Sequence, residues 1–143
     1  MSEVLPLSHV KHLRPQPERV RLLDERQAKT HHFVIYANLC EEVVEVDGYV
    51  TVGMYEDGSP GEVFIRMGKE HGSTIQGFAD GWAIGVSWLL QVGVPLRTIT
   101  SKFRHVRFEP SGRTNCSKVP SCSSLIDYVS AWLEQEFPEH EET

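Results

Sequence analysis

Arg97, Lys102, Arg104, Arg107 and Arg113 place five of the 14 basic residues of this chain within 17 positions, opposed there only by Glu109. Guanidinium forks match phosphate oxygens in bidentate fashion, so this concentration suits a nucleotide or another phosphorylated ligand. Ser73, just after Gly72 at the start of a helical pattern, can add backbone N–H donors, as can the turn at Ser111-Gly112. The competing reading is a solvated helix face laced with Arg–Glu pairs. Twenty acidic against 14 basic residues give a net charge of −6, which argues against duplex nucleic acid as the partner.

The other reactive side chains form no recognised catalytic or metal pattern. Cys40, Cys116 and Cys122 are an odd number without a CxxC pair, which is no secreted disulfide framework and points to the cytoplasm. His31 and His32 are adjacent, so a strand turns them to opposite faces, and with Cys116 and Cys122 they make no known zinc spacing. His71 and His105 read as surface or loop histidines. Ser121, Ser123 and Ser124 read as helix caps, since no base is assignable to them. Trp82 and Trp88 lie at helical spacing and read as packing. No catalytic residue and no metal ligand is assigned.

The elements that must position these residues follow from periodicity. At 143 residues the length is that of one domain, with 40% hydrophobic residues to build a core. Residues 1–29, with Pro6, Pro15 and Pro17, read as a flexible or surface-draped polar arm, residues 30–137 as a single domain, and residues 138–143 as an acidic tail. Thr30 to Ala37 predicts a strand, followed by an acidic connection through Glu41, Glu42, Glu45 and Asp47. Tyr49 to Met67 predicts a hairpin turning at Asp57-Gly58, with Val50, Val52 and Met54 on its buried face.

A helix is predicted over about 74–92, capped by a Ser73/Gln76 box and buried through Ile75, Phe78, Ala79, Trp82, Val86, Leu89 and Leu90. Gly77, Gly81 and Gly85 recur four apart on its other side, and each mid-helix glycine costs about 1 kcal/mol relative to alanine. That loss predicts close approach of another backbone, most simply a homodimer through this face. Gln76, Asp80, Ser87 and Gln91 form a narrow polar stripe, which makes the segment a buried helix of a soluble protein rather than a membrane span. The N-terminus lacks the apolar run of a signal peptide. Leu96, Ile99, Phe103 and Val106 predict a shorter helix, residues 108–120 a loop, and Leu125, Tyr128, Val129, Trp132 and Leu133 a last helix ending before Pro138. The fold class is α+β: a small antiparallel sheet packed against one long and two shorter helices.

The motifs Gly61-Glu-Val-Phe-Ile65, Leu90-Gln-Val-Gly-Val-Pro-Leu96, Arg107-Phe-Glu-Pro-Ser-Gly112 and Ser124-x-x-Asp127-Tyr128 are specific in combination. Together they resemble the region C-terminal to the catalytic barrel of adenosylcobalamin-dependent (class II) ribonucleotide reductases, a region related to the TSCPD domains. The resemblance covers roughly residues 48–133, with Gln27-Ala28-Lys29-Thr30 as a lead-in, residues 38–47 inserted and the Thr-Ser-Cys-Pro-Asp sequence itself absent. It implies a place in deoxyribonucleotide synthesis, adenosylcobalamin as the related enzyme's cofactor and a larger reductase chain as partner. The chain is too short to form the family's ten-stranded barrel.

Asn38-Leu39-Cys40-Glu41-Glu42 matches the Asn-x-Cys-x-Glu pattern that carries the family's radical cysteine, and Cys116 and Cys122 can be imagined as its reducing pair. Three readings follow. The first is a stand-alone accessory piece of a reductase, without catalysis or a cofactor of its own. The second is a nucleotide-binding regulatory or sequestering module using the basic cluster. The third is a cobalamin-dependent reductase acting through Cys40, which needs a water-free enclosure around the radical.

Overall fold

The computed structural model describes Pro15 and residues 17–139. Pro6 of the arm and Glu141 and Glu142 of the acidic tail lie outside the described residues. The elements run β1 (Ala28–Leu39), β2 (Glu42–Met54), β3 (Pro60–Met67), a 3₁₀ turn (Lys69–His71), α1 (Ser73–Gln91), α2 (Leu96–Phe103), β4 (Gly112–Cys116), β5 (Val119–Cys122) and α3 (Leu125–Glu136). The strands form one antiparallel sheet in the order β3-β2-β1-β4-β5, and the class is the α+β expected from the pattern.

Alternation decides which sheet face is covered. Phe33, Ile35 and Ala37 of β1, Val46, Val50 and Val52 of β2, and Val63, Ile65 and Met67 of β3 are buried. They meet Ala79, Ala83, Val86 and Leu90 of α1, Leu96 and Ile99 of α2, and Leu125, Tyr128, Val129, Trp132 and Leu133 of α3. The 49–67 hairpin forms as expected: Gly58 takes φ 86°, its N–H donates to the Tyr55 carbonyl at 2.9 Å, and the Asp57 carboxylate accepts from the Ser59 N–H at 2.9 Å.

Two expected connections are strands instead. The acidic stretch 38–47 extends the β1–β2 hairpin, with Asn38 opposite Val43 and Leu39 opposite Glu42, around a turn at Cys40-Glu41. Both turn residues have positive φ, 51° and 67°, which matches the twist of the strands as a two-residue turn requires. Val43, Val44 and Val46 were the β-branched signal beneath the acidic residues. The loop expected over 108–120 contains the β4–β5 hairpin, which completes the sheet beside β1 and accounts for the position of Thr114 opposite Ile35.

The long helix differs from expectation in its buried stripe and in its cap. Phe78 is 79% exposed and Leu89 is 41% exposed, because the buried stripe is narrower and centred on Ala79, Ala83, Val86 and Leu90. Gly77, Gly81 and Gly85 have nothing within 4 Å of where a Cβ would stand, so this side of α1 is open within the chain. The Ser73/Gln76 capping box is not made: α1 starts from Gly72 without a side-chain cap, and Gln76 serves β3 instead. Val106 lies beyond the end of α2 and is 37% exposed. Ser124 does cap α3, accepting the Asp127 N–H at 3.0 Å.

Residues 17–27 cross the surface to the end of α1. The Val20 N–H donates to the Gln91 carbonyl at 2.9 Å, the Arg19 Nε–H donates to Gln91 Oε1 at 2.6 Å, and the Arg19 guanidinium lies 3.7 Å over the Trp88 ring. Arg26 pairs with Glu62 of β3 at 2.5 Å.

Candidate functional site

The basic cluster does not assemble into one anion cradle. Arg104, the residue that ends α2, turns its guanidinium inward: Nε donates to Asp127 Oδ1 at 3.2 Å and Nη1 to Glu134 Oε2 at 2.8 Å. Glu134 also accepts from Thr100 Oγ1 at 2.8 Å, so these residues lock α2 onto α3. Asp127 is buried, which alone would raise its pKa, yet the N–H groups of His105 and Ser123 and the Arg104 guanidinium hold it below the usual carboxylate range. Arg104 is therefore paired as a cross-link between α2 and α3.

The other members of the cluster are spread apart. Arg97 and Lys102 are both exposed on α2, and five residues at about 100° each set them about 140° apart around the helix. Arg107 is exposed in the following loop and Arg113 is exposed on β4, opposite Tyr36. Ser73 faces a groove along the outer side of β3 with Arg19, Arg66 and Lys69, a basic set that the sequence reading did not single out.

The three cysteines are free and occupy two different settings. Cys40 is exposed at the tip of the β1–β2 hairpin. Cys116 and Cys122 are half-buried on β4 and β5, against the core that contains Tyr128. Burial pushes the Cys122 thiol up to about 11, so it is protonated and a poor nucleophile at neutral pH. The Tyr128 hydroxyl, also raised by burial and by its cysteine neighbours, lies 2.7 Å from His31 Nε2. His31 stacks on Trp132 with ring centroids 5.0 Å apart, and burial lowers its pKa. This is a packed polar seam between β1 and α3. As the strand alternation requires, His32 points the other way, its ring 4.7 Å from that of Tyr49.

A mixed carboxylate–imidazole cluster lies at the end of β3, and the sequence reading missed it. β3 turns away at Gly68, whose N–H still donates to the Asp47 carbonyl of β2 at 3.1 Å. The 3₁₀ turn then brings Glu70 and His71 back over β2. His71, whose side chain is 11% exposed, sets Nε2 2.8 Å from Asp47 Oδ1 and 3.5 Å from Glu70 Oε1. His32 Nε2 stands 3.5 Å from the other carboxylate oxygen of Asp47. The His71 imidazole, with help from His32, holds the Asp47 carboxyl below its ordinary value against the opposing effect of desolvation. The only signal available earlier was register: once the chain turns at Cys40-Glu41, His32 must face Tyr49, two residues from Asp47 on the same sheet face.

The family model of the TSCPD domain matches residues 18–137. Among the curated relatives, the vitamin B12-dependent ribonucleotide reductase of Rhodopirellula baltica is 45% identical over 118 residues, 82% of this chain and 10% of that protein. The protein of the same name from Streptomyces avermitilis is 39% identical over 122 residues, 85% of this chain and 12% of that protein. That from Bradyrhizobium diazoefficiens is 35% identical over 113 residues, 78% of this chain and 8% of that protein. The chain thus spans about a tenth of the length of the curated relatives it matches. No solved structure matches it.

Proposed function

Because this chain belongs to the TSCPD domain family, we propose that it is the small module of a vitamin B12-dependent ribonucleotide reductase system. In this reading it contributes to deoxyribonucleotide synthesis beside a catalytic barrel and does not itself reduce the ribonucleotide. The observation that carries the reading is 45% identity concentrated in one tenth of a reductase. The three free cysteines favour the cytoplasm as its setting.

Adenosylcobalamin supplies radical chemistry in the related enzymes, and such chemistry needs a site closed to water. The residues of this chain do not fit that cofactor. Cys40, the one thiol in the radical-cysteine pattern, is exposed on a two-residue turn. Cys122 is held as a thiol among core side chains. In this reading the cofactor is held by the barrel, and the exposure of Cys40 weighs against the catalytic reading through it.

The partner surface we assign is the open side of α1, and its occupant a second copy of this chain. The side chains are arranged almost symmetrically about Gly81: Phe78 and Ile84 three residues away, Gly77 and Gly85 four residues away. A two-fold axis at Gly81 sets Phe78 of one helix beside Ile84 of the other, over the glycines of both. Phe78 and Ile84 are 79% and 60% exposed, and the glycines leave room for close approach.

The test of function is an assay of the purified chain with adenosylcobalamin, a ribonucleotide and a dithiol. It is run alone and with the Rhodopirellula baltica reductase from which the matching segment has been deleted. The expected result is no deoxyribonucleotide from the chain alone and a gain in turnover when the two are mixed. Product from the chain alone, or no effect on the truncated enzyme, would overturn the reading.

A further inference from the structure

The cluster at the end of β3 has the composition and spacing of a cation site. One donor atom from each of Asp47, Glu70 and His71 lies within 4.8 Å of the other two. For metal bonds near 2.1 Å, neighbouring ligand atoms are about 3.0 Å apart on an octahedron and about 3.4 Å apart on a tetrahedron. The observed separations from His71 Nε2, 2.8 Å and 3.5 Å, fall around those values, and an ion there would displace the Asp47 N–H that donates to Nε2 at 3.2 Å.

Gly68 supplies an independent measure of the same convergence. A Cβ on Gly68 would stand 2.7 Å and 2.8 Å from the two Glu70 oxygens and 2.9 Å from Asp47 Oδ1. Gly68 has φ −58°, which any residue adopts, so its lack of a side chain is a matter of space and not of backbone. The oxygens of two separate elements thus converge against Gly68, where a side chain would displace them.

Charge and donor type complete the description. As ligands to an ion, two carboxylates and one imidazole would together supply −2, which balances a divalent ion. His32 Nε2, 3.5 Å from Asp47 Oδ2, is near enough to become a fourth donor by a side-chain shift. A set containing one or two imidazoles favours zinc and its first-row neighbours over magnesium or calcium, which prefer oxygen alone.

We infer that Asp47, Glu70 and His71, with His32 in reserve, form a binding site for one divalent transition-metal ion of the zinc class. The ion ties β2 to the turn that launches α1. The site is distinct from the cysteines and from the open face of α1, so it stands or falls apart from the role proposed above.

The test uses the full chain stripped with a chelator and titrated with Zn²⁺ and, in parallel, Mg²⁺ by calorimetry, with Co²⁺ absorbance reporting the ligand field. One equivalent of Zn²⁺ is expected to bind, with a raised melting temperature and no matching response to Mg²⁺. Asp47→Asn and Glu70→Gln keep the shape of the cluster, and His71→Ala removes its imidazole. Each is expected to weaken Zn²⁺ binding at least about tenfold. His105→Ala, outside the cluster, leaves binding unchanged. Binding of Zn²⁺ that none of the three cluster variants weakens, or no binding of one equivalent to the parent chain, would overturn the inference. The two isosteric variants keep the test decisive should His71→Ala fail to fold.

Discussion

Ser87 Oγ on α1 accepts the Val63 N–H of the edge strand β3 at 2.8 Å, putting a helix side chain where a sixth strand would otherwise bond. Gln76 does the same further along, accepting the Met67 N–H at 2.7 Å and donating to the Ile65 carbonyl at 2.9 Å, and Gln91 donates to the Gly61 carbonyl at 3.0 Å. The geometry allows this because the two elements run antiparallel with matching lengths: 15 helical steps span about 22 Å and six strand steps about 20 Å. The polar stripe of α1 thus covers a sheet edge that would be open to pairing with other chains.

Gln76→Ala is accordingly expected to lower stability by about 1–3 kcal/mol, since it strips two backbone groups of their partner. Ser87→Ala loses a similar amount. Urea unfolding of the variants measures it, and light scattering at high concentration should show more self-association than in the parent chain. Unchanged midpoints would mean that water replaces both side chains without loss.

The Arg104–Asp127 pair predicts a pH dependence. The folded pKa of Asp127 is depressed, while in the unfolded chain it lies near 3.9. The stabilisation it gives is therefore complete above about pH 4–5 and is lost as pH falls through the lower folded value. Asp127→Asn should cost about 3–5 kcal/mol at pH 7, because it leaves Arg104 half-buried with one partner fewer. As pH falls below about 4, the gap between variant and parent should shrink. A gap that stays constant from pH 7 to pH 3 would show that the carboxylate charge is immaterial.

How much of this was legible beforehand depends on whether a residue's role was local. Asp57-Gly58, the Val50 and Val52 alternation and the Ser124 cap were readable because turns, pleats and caps are settled within a few residues. The polar stripe of α1 was visible as a stripe, but its use was hidden, since Gln76 was equally suited to cap its own helix. The carboxylate partners of Arg104 could not be named beforehand, because they lie 23 and 30 residues downstream. The Asp47–His71 contact was invisible because it depends on where β3 turns away at Gly68, a tertiary event.

The open side of α1 gives a prediction with opposite signs for two variants. Ile84→Glu buries a charge in the proposed two-fold contact and should convert a dimer to a monomer with little effect on folding, because Ile84 is exposed within the chain. Gly81→Ala meets nothing in the monomer and removes the helix penalty of glycine, so it should stabilise an isolated chain by up to about 1 kcal/mol. In a dimer with the axis at Gly81 the same methyl group obstructs close approach and weakens association. Light scattering coupled to size exclusion measures the first effect, and unfolding at two protein concentrations separates the second. A parent chain that stays monomeric at several hundred micromolar would sink the pairing.

Thiol accessibility distinguishes the three cysteines and bears on whether any of them does chemistry. Cys40 is exposed, so a reagent such as Ellman's should modify one thiol per native chain promptly at pH 8. Cys122 is raised to about 11 by burial, so only about one part in a thousand is thiolate at that pH. Its reaction should await opening of the sheet end, and mild urea that loosens α3 should accelerate it. Cys40→Ser should abolish the fast phase while leaving stability and any stimulation of a truncated reductase unchanged, since the side chain touches no core. Loss of that stimulation in Cys40→Ser, with the fold intact, would return Cys40 to the chemistry from which its exposure removes it.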